Sequence, residues 1–260
     1  MKRRRIIVLQ VGGTDPGLAA QPSRIPSGRI ASMTSARNII ALDATAELCS
    51  VAWTDGSRWI ERAEFAGQRH SALMLAMVED VLREARQPLR AVDEIAFGAG
   101  PGSFTGLRIA CGIAQGLGLG AQRPVRAVSS LLALAQASGS DAVIAALDAR
   151  MNEVYWAAYR RARAGAVWTV LAEPAVMAPD AVDAPDGAAW TGAGSGFAAY
   201  PALARRLFGP NGVSASIAVT ARAIGELALS GHGMLGPAET ASPHYVRDKV
   251  ARTTAERASS

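Results

Sequence analysis

The tetrapeptide ALDA occurs twice in this chain of 260 residues, at 41–44 and at 146–149. A glycine-rich stretch repeats in the same order, as GAGPGSF at 98–104 and GAGSGF at 192–197. The two offsets are similar, 105 and 94 residues. Each ALDA closes an apolar run and is followed by a short polar turn and a second run, CSVAW at 49–53 and VYWAAY at 154–159. Two matches in one order and one context mark an internal duplication. The chain reads as two related α/β units, each opening with strand, turn and strand, with Asp43 or Asp148 at the end of the first strand. The small polar residues ASGSD put the boundary near 138–142, so the units span 33–140 and 141–260.

Periodicity fills in the first unit. NIIALDA (38–44), LCSVAWT (48–54) and SRWIERAEFA (57–66) read as strands joined by hairpin connections. Residues 68–86 have helical spacing, with Leu73, Met74, Met77, Val78, Val81, Leu82 and Ala85 on one wide stripe. Ser71 is the expected N-cap, and Pro88 lies just past the stop. VDEIAFGAG (92–100) is a strand that runs into the glycine turn, and 104–120 is a helix rich in small residues. Ala110, Gly112, Ala114, Gly116 and Gly118 form two ridges suited to close packing of that helix on the sheet. Residues 125–138 begin as a strand and become a helix capped by Ser129 or Ser130, 178–188 form a surface loop, and the tail after 241 opens on a Pro-containing turn.

Charge narrows the partners. The net charge is +5, but Lys2, Arg3, Arg4, Arg5, Arg24 and Arg29 against Asp15 account for all of it. The body is neutral and exerts no general pull on a phosphate backbone. Residues 1–32, rich in Gly, Pro and Ser, read as a disordered or non-native extension before a natural start at Met33. Cys49 and Cys111 sit in apolar runs, as buried thiols of a reducing cytoplasm would. No apolar run is long enough to span a membrane.

The reactive groups are few. A Walker loop needs GxxxxGK[ST], yet no lysine lies between Lys2 and Lys249. GxGxxG fails too, because Ser103 or Thr105 stands at the third glycine position. What is left is a strand–glycine turn–helix through Gly100, Gly102 and Ser103. It either receives an anion at the helix N-terminus or lets the helix lie close to the sheet. Asp43, with Thr45 two residues on, and Asp148 either hold Mg²⁺ or cap their own turns. His70, His232 and His244 offer no metal pair, since Met74 stands four residues after His70. GxSxG is matched only in part at 192–196, and Ser103 lacks an evident His/Asp set. The Met/Leu stripe of 68–86 either covers the sheet or stays partly open for another subunit.

IIALDATAELCSVAW (39–53), QRHSALMLAMVEDVL (68–82), GAGPGSFTGLRIACGIAQGLGLG (98–120) and the tail PHYVRDKVA together resemble the TsaB (YeaZ) family, from about Met33 to Arg257. The resemblance implies an actin/Hsp70/sugar-kinase-like (RNase H-like) α/β fold of two duplicated subdomains, with mixed sheets and flanking helices. It implies a non-catalytic, cytoplasmic scaffold that pairs with TsaD and TsaE in making threonylcarbamoyladenosine (t6A) beside the anticodon of tRNA. The tRNA is met only through the complex, and the chain alone forms a homodimer. Partner binding falls on His70, Leu73, Met74, Met77, Val81, Phe104, Leu107, Arg108 and Cys111. A charge at Leu73 or Met77 is expected to break pairing and spare the fold. Asp43, Thr45, Gly100, Gly102 and Ser103 would be a vestigial nucleotide site, with no cofactor beyond weak ATP binding, no metal and no catalytic residue. The alternative is an ATP-dependent phosphotransferase of the sugar- or acetate-kinase type, working through Asp43, Thr45 and the 98–108 loop.

Overall fold

Strand β1 (Ile39–Asp43) is buried along its whole length, in a computed structural model that describes residues 37–67 and 69–247. Alternation sends Ile40 and Leu42 to one face and Ile39 and Ala41 to the other, each into a separate apolar core. A strand apolar on both faces needs helices on both sides of its sheet. The chain supplies them in order: β2 (Leu48–Thr54), β3 (Trp59–Phe65), α1 (His70–Ala85), β4 (Glu94–Gly100), α2 (Phe104–Ala121), β5 (Val125–Ser129) and α3 (Ser130–Ala137). β2 pairs antiparallel with β1 and β3, while β4 runs parallel to β1 and β5 to β4.

The second half repeats this plan with β6 (Ala142–Asp148), β7 (Val154–Arg160), β8 (Thr169–Met177), β9 (Thr191–Ala193), α4 (Gly196–Ala199), α5 (Pro201–Phe208) and β10 (Val213–Ser214). The first sheet has the order β3-β2-β1-β4-β5 and the second β8-β7-β6-β9-β10, with the same strand senses. The duplication read from ALDA is thus a duplication of topology. It reaches single dihedrals: Gly100 at the end of β4 has φ +116°, and Gly194, just past β9, has φ +110°. That conformation strains any residue with a Cβ, so both copies hold a glycine there.

The chain then returns to its first half. Helix α6 (Ala221–Leu229) packs on β1, β2 and β4, and β11 (Met234–Gly236) pairs antiparallel with β5. A division at residue 140 therefore parts the two sheets except for β11. Three apolar cores follow. One joins α1 and α2 to the first sheet, one fills the space between the sheets around α3 and α6, and one lies under α4 and α5. Ser129 caps α3, accepting from the Leu132 N–H at 3.4 Å, as the sequence predicts. Ser71 does not cap α1: the helix starts at His70, Arg69 holds the cap position, and no side chain bonds there. The extension 1–32 and the tail from 248 on lie outside the described residues. No helix of the described residues is long and apolar enough to cross a membrane.

One ion pair is sunk between the central strands. Glu94 is 1% exposed at the start of β4, and its carboxylate accepts from both Arg126 of β5 and Arg37. Arg126 also donates to the carbonyls of Gly231 and Gly233, at 3.2 and 3.3 Å, pinning the turn between α6 and β11. Removing one partner of such a pair leaves a buried charge unpaired. Glu94→Ala is expected to lower the unfolding free energy by about 3–5 kcal/mol in urea melts; a loss below about 1 kcal/mol would mean the pair contributes little.

Candidate functional site

The glycine turn at 100–103 sits against the β1–β2 turn, and the fit is tight. The Ser103 N–H donates to the Thr45 carbonyl at 2.8 Å. A Cβ on Gly102 would lie 2.5 Å from that same oxygen, and one on Gly106 would collide with the Ala44 carbonyl. On the other side the tail closes in. The His244 N–H donates to the Ala99 carbonyl at 2.7 Å, and a Cβ on Gly100 would lie 2.8 Å from the His244 carbonyl. The structure thus brings Thr45, Gly100, Gly102 and Ser103 together, but main chain fills the space between them. Two donors of the first α2 turn are also engaged: Ser103 Oγ accepts from the Gly106 N–H at 3.3 Å, and Leu107 N–H bonds back to the Ser103 carbonyl. Of the two uses open to this turn, close packing is the one its geometry serves.

Asp43 is fully buried beside it. Its carboxyl accepts from Thr45 Oγ1 at 2.9 Å and from the Thr45 N–H at 3.3 Å. A Cβ on Gly98 would collide with it. Asp148 makes the equivalent bond in the second half, accepting from the Arg150 N–H at 2.8 Å. Both aspartates therefore cap their own turns, two residues ahead. Their surroundings differ. Asp148 is partly exposed and pairs with Arg150 at 3.0 Å, whereas Asp43 has no cation among its hydrogen-bond partners. Burial pushes the Asp43 carboxyl up to about 7, against a smaller lowering by its bonds from Thr45. Burial and the Asp43 charge in turn raise the Cys49 thiol to about 11.

Helices α1 and α2 lie side by side over the outer face of the first sheet, and here the residues expected to meet a partner divide. Met74, Met77, Val81, Leu107 and Cys111 are buried in the chain's own core or under its own tail. They are not free for another subunit, and a charge at Met77, 7% exposed, would break the fold. The reason is general: the wide apolar stripe of a helix marks the face that covers its own sheet. His70 is half-buried, its Nε2 lying 3.0 Å from the Ala46 carbonyl, so it ties α1 to the β1–β2 turn. Leu73 is half-buried, and Phe104 and Arg108 are exposed. The outer face instead carries Ala72, Leu75 and Ala76 on α1 and Gly112, Gly116 and Gly120 on α2.

The two small-residue ridges of α2 consequently point opposite ways. Gly106, Ala110, Ala114 and Gly118 face inward and are buried. Gly112, Gly116 and Gly120 face out, with nothing within 4 Å of a Cβ built on any of them. The expectation that both ridges pack on the sheet fails because positions 110 and 112 are about 200° apart around a helix.

Sequence reasoning used the tail only as a stretch of resemblance and missed its contacts. Tyr245 stacks on Phe104 with centroids 5.8 Å apart, and Arg108 lies 3.7 Å over the Phe104 ring and donates to Tyr245 Oη at 3.2 Å. No periodic signal marks residues 241–247, because an extended strap has none. Among the described residues no group of three or more His, Cys, Asp or Glu could hold a metal ion.

The Asp43 carboxyl gives this site a measurable signature. Unfolded, it loses its proton near 3.8; folded, it keeps the proton up to about 7. Between those values the native state binds a proton that the unfolded state does not. The stabilisation is thus complete below the lower value and is lost as pH rises through the upper one. From about pH 5 to about pH 8 the chain is expected to lose roughly 2–3 kcal/mol more unfolding free energy than Asp43→Asn, read from urea melts. Parallel pH slopes would mean the folded carboxyl is already ionised.

Comparison with known proteins agrees with this architecture. The family model described as "TsaD: tRNA N6-adenosine threonylcarbamoyltransferase" matches residues 63–201. The Escherichia coli (strain K12) protein named tRNA threonylcarbamoyladenosine biosynthesis protein TsaB is 41% identical over 175 residues, covering 64% of this chain and 75% of that protein. The Haemophilus influenzae protein of the same name is 45% identical over 122 residues, covering 45% of this chain and 52% of that one. The solved structure of YeaZ from Pseudomonas aeruginosa superposes with a TM-score of 0.71 at 41% identity, covering 80% of this chain and 99% of that one. With two mixed sheets of one topology, flanking helices and these relatives, the chain belongs to the TsaB (YeaZ) family of actin-like fold.

Proposed function

We propose that this chain is a non-catalytic scaffold subunit in forming t6A on tRNA, and that it pairs with a TsaD-type threonylcarbamoyltransferase through the outer face of α1 and α2. The name of its E. coli relative, a tRNA threonylcarbamoyladenosine biosynthesis protein, supports the pathway. The single observation that supports the pairing is the character of the outer helix face. Leu75 is 48% exposed, Ala72 and Ala76 lie on the same face of α1, and Gly112 and Gly116 stand open on α2. Glycines four residues apart give a partner helix a groove in which its ridge can approach the backbone. A TsaE-type ATPase joins the pair, and tRNA meets the chain only through the complex, since arginines and carboxylates nearly balance over the described residues. Without its partner the same face takes a second copy of the chain, giving a homodimer.

The outward glycines make the test discriminating. A Cβ at Gly116 has nothing within 4 Å in the monomer, and replacing a mid-helix glycine removes a propensity cost of about 1 kcal/mol. Gly116→Leu is expected to raise the thermal midpoint slightly and to abolish co-purification with TsaD, with Leu75→Glu doing the same to pairing. Wild-type co-purification of both variants would overturn the reading, and size-exclusion of the chain alone reports on the homodimer.

We read the glycine turn as closed to nucleotide, because main-chain atoms of residues 44, 45 and 244 occupy the approaches to it. Calorimetric titration with Mg-ATP is expected to give no binding at micromolar concentration. Micromolar binding abolished by Thr45→Val would favour the phosphotransferase.

A further inference from the structure

The two halves are joined differently at the two ends of the cleft between them. At the base, α3 and α6 lie in a continuous apolar core that includes Ile39, Ala41, Val143 and Tyr159. At the mouth, the glycine turn of the first half and Tyr155 of β7 line one cleft, and a strap of the C-terminal chain crosses from one half to the other. It runs first along α2: the Ala241 carbonyl accepts from Gln115 Nε2 at 2.8 Å. His244 then bonds Ala99, and Tyr245 stacks on Phe104 and accepts from Arg108. Finally Arg247 reaches the second half. Its guanidinium pairs with Glu153, donates to Met151 Sδ at 3.4 Å and lies 5.8 Å over the Tyr155 ring. The Arg247 side chain is only 13% exposed there.

The other polar bonds of the β6–β7 turn stay within its own half. Asp148 N–H bonds Ser195 Oγ, Tyr200 Oη bonds Asp148, and Arg150 pairs with Asp148. Among the described residues, Arg247 is thus the polar link that reaches residues 148–153 from outside the stretch β6–β10. Beneath the strap lies a shallow cleft lined by Pro101, Gly102, Phe104, Leu107 and Tyr155, with His244, Tyr245 and Arg247 as its cover. Its walls come from both halves.

We propose that residues 241–247 are a releasable latch: Arg247 closes the mouth of the inter-half cleft against Glu153 and Tyr155, and Tyr245 passes that closure to the first turn of α2. The apolar core at the base is a fixed hinge, since opening it would expose large side chains to water. The latch is the weaker element: a partly exposed ion pair, one aromatic contact and a few single hydrogen bonds hold it, against the continuous apolar core at the base, so it opens without global unfolding. Release loosens Phe104 and Arg108 together, because both lean on Tyr245. The latch needs no partner protein and stands whether or not α1 and α2 bind one.

Hydrogen exchange on the full-length protein tests this. Glu153→Gln is expected to speed exchange of the His244 amide and of the amides of residues 103–107 by about tenfold, while β1 and α6 keep wild-type rates. Arg247→Ala should do the same, and the swap Arg247→Glu with Glu153→Arg should restore protection. Arg150→Ala, on the same turn but paired with Asp148, should leave all these amides unchanged. Wild-type protection in both single variants would overturn the latch. So would an increase shared equally by β1 and α6, which would mean Arg247 merely contributes to global stability.

Discussion

Everything on the outer side of the first sheet depends on how closely α2 approaches the β1–β2 turn. Gly106 rests against the Ala44 carbonyl, Gly102 against Thr45, and the Ser103 N–H is bonded to the Thr45 carbonyl. A side chain at Gly102 or Gly106 would push the helix start away from β1. With that start fixed, the 3.6-residue period sets the rest: Ala110, Ala114 and Gly118 must face the sheet, and Gly112 and Gly116 must face solvent. The contact that fills the glycine turn is the same contact that aims an unusually bare helix face outward. A single local constraint therefore links the turn to the surface we assign to a partner.

Much of this was legible in the sequence. The strands of the first half follow from short apolar runs and its helices from period-3.6 apolar spacing, and β2, Leu48–Thr54, was bounded by its polar flanks. The duplication could be read because Asp43 and Asp148, and Gly100 and Gly194, keep fixed roles in the two turns. The second half was less readable. Strand β8 carries Pro174 and is only half-buried, so it lacks clean alternation. β11 spans three residues and is a strand only because β5 offers it an edge.

The binding face was the harder inference, for a physical reason. Apolar periodicity reports burial and does not say what does the burying. Met74, Met77 and Val81 were conspicuous because they are core. The free face is made of residues with little hydrophobic signal, alanine and glycine, whose outward direction is set by which ridge of α2 meets the sheet. Spacing alone gives two equivalent ridges, and it took the Ala44 contact to tell them apart. The tail was silent in the same way: Tyr245 and Arg247 act through a stack and an ion pair with residues distant in sequence.

The two aspartates show how far the surroundings of a duplicated turn can differ. A site that grips a metal–nucleotide between two halves needs both carboxylates ionised, accessible and facing one cleft. In the first half Asp43 has sunk out of reach of solvent, between Thr45 and a glycine that leaves no room for a side chain, and burial favours its neutral form. In the second half Asp148 remains partly exposed but is engaged by Arg150 and Tyr200. Each change is separately compatible with the fold, because the capping bond to the residue two places on is retained in both. What the two turns share is the part that shapes the chain: the bond accepted by the aspartate and the glycine at positive φ. Those features belong to backbone geometry and hold in both halves although the two carboxylates sit in different surroundings.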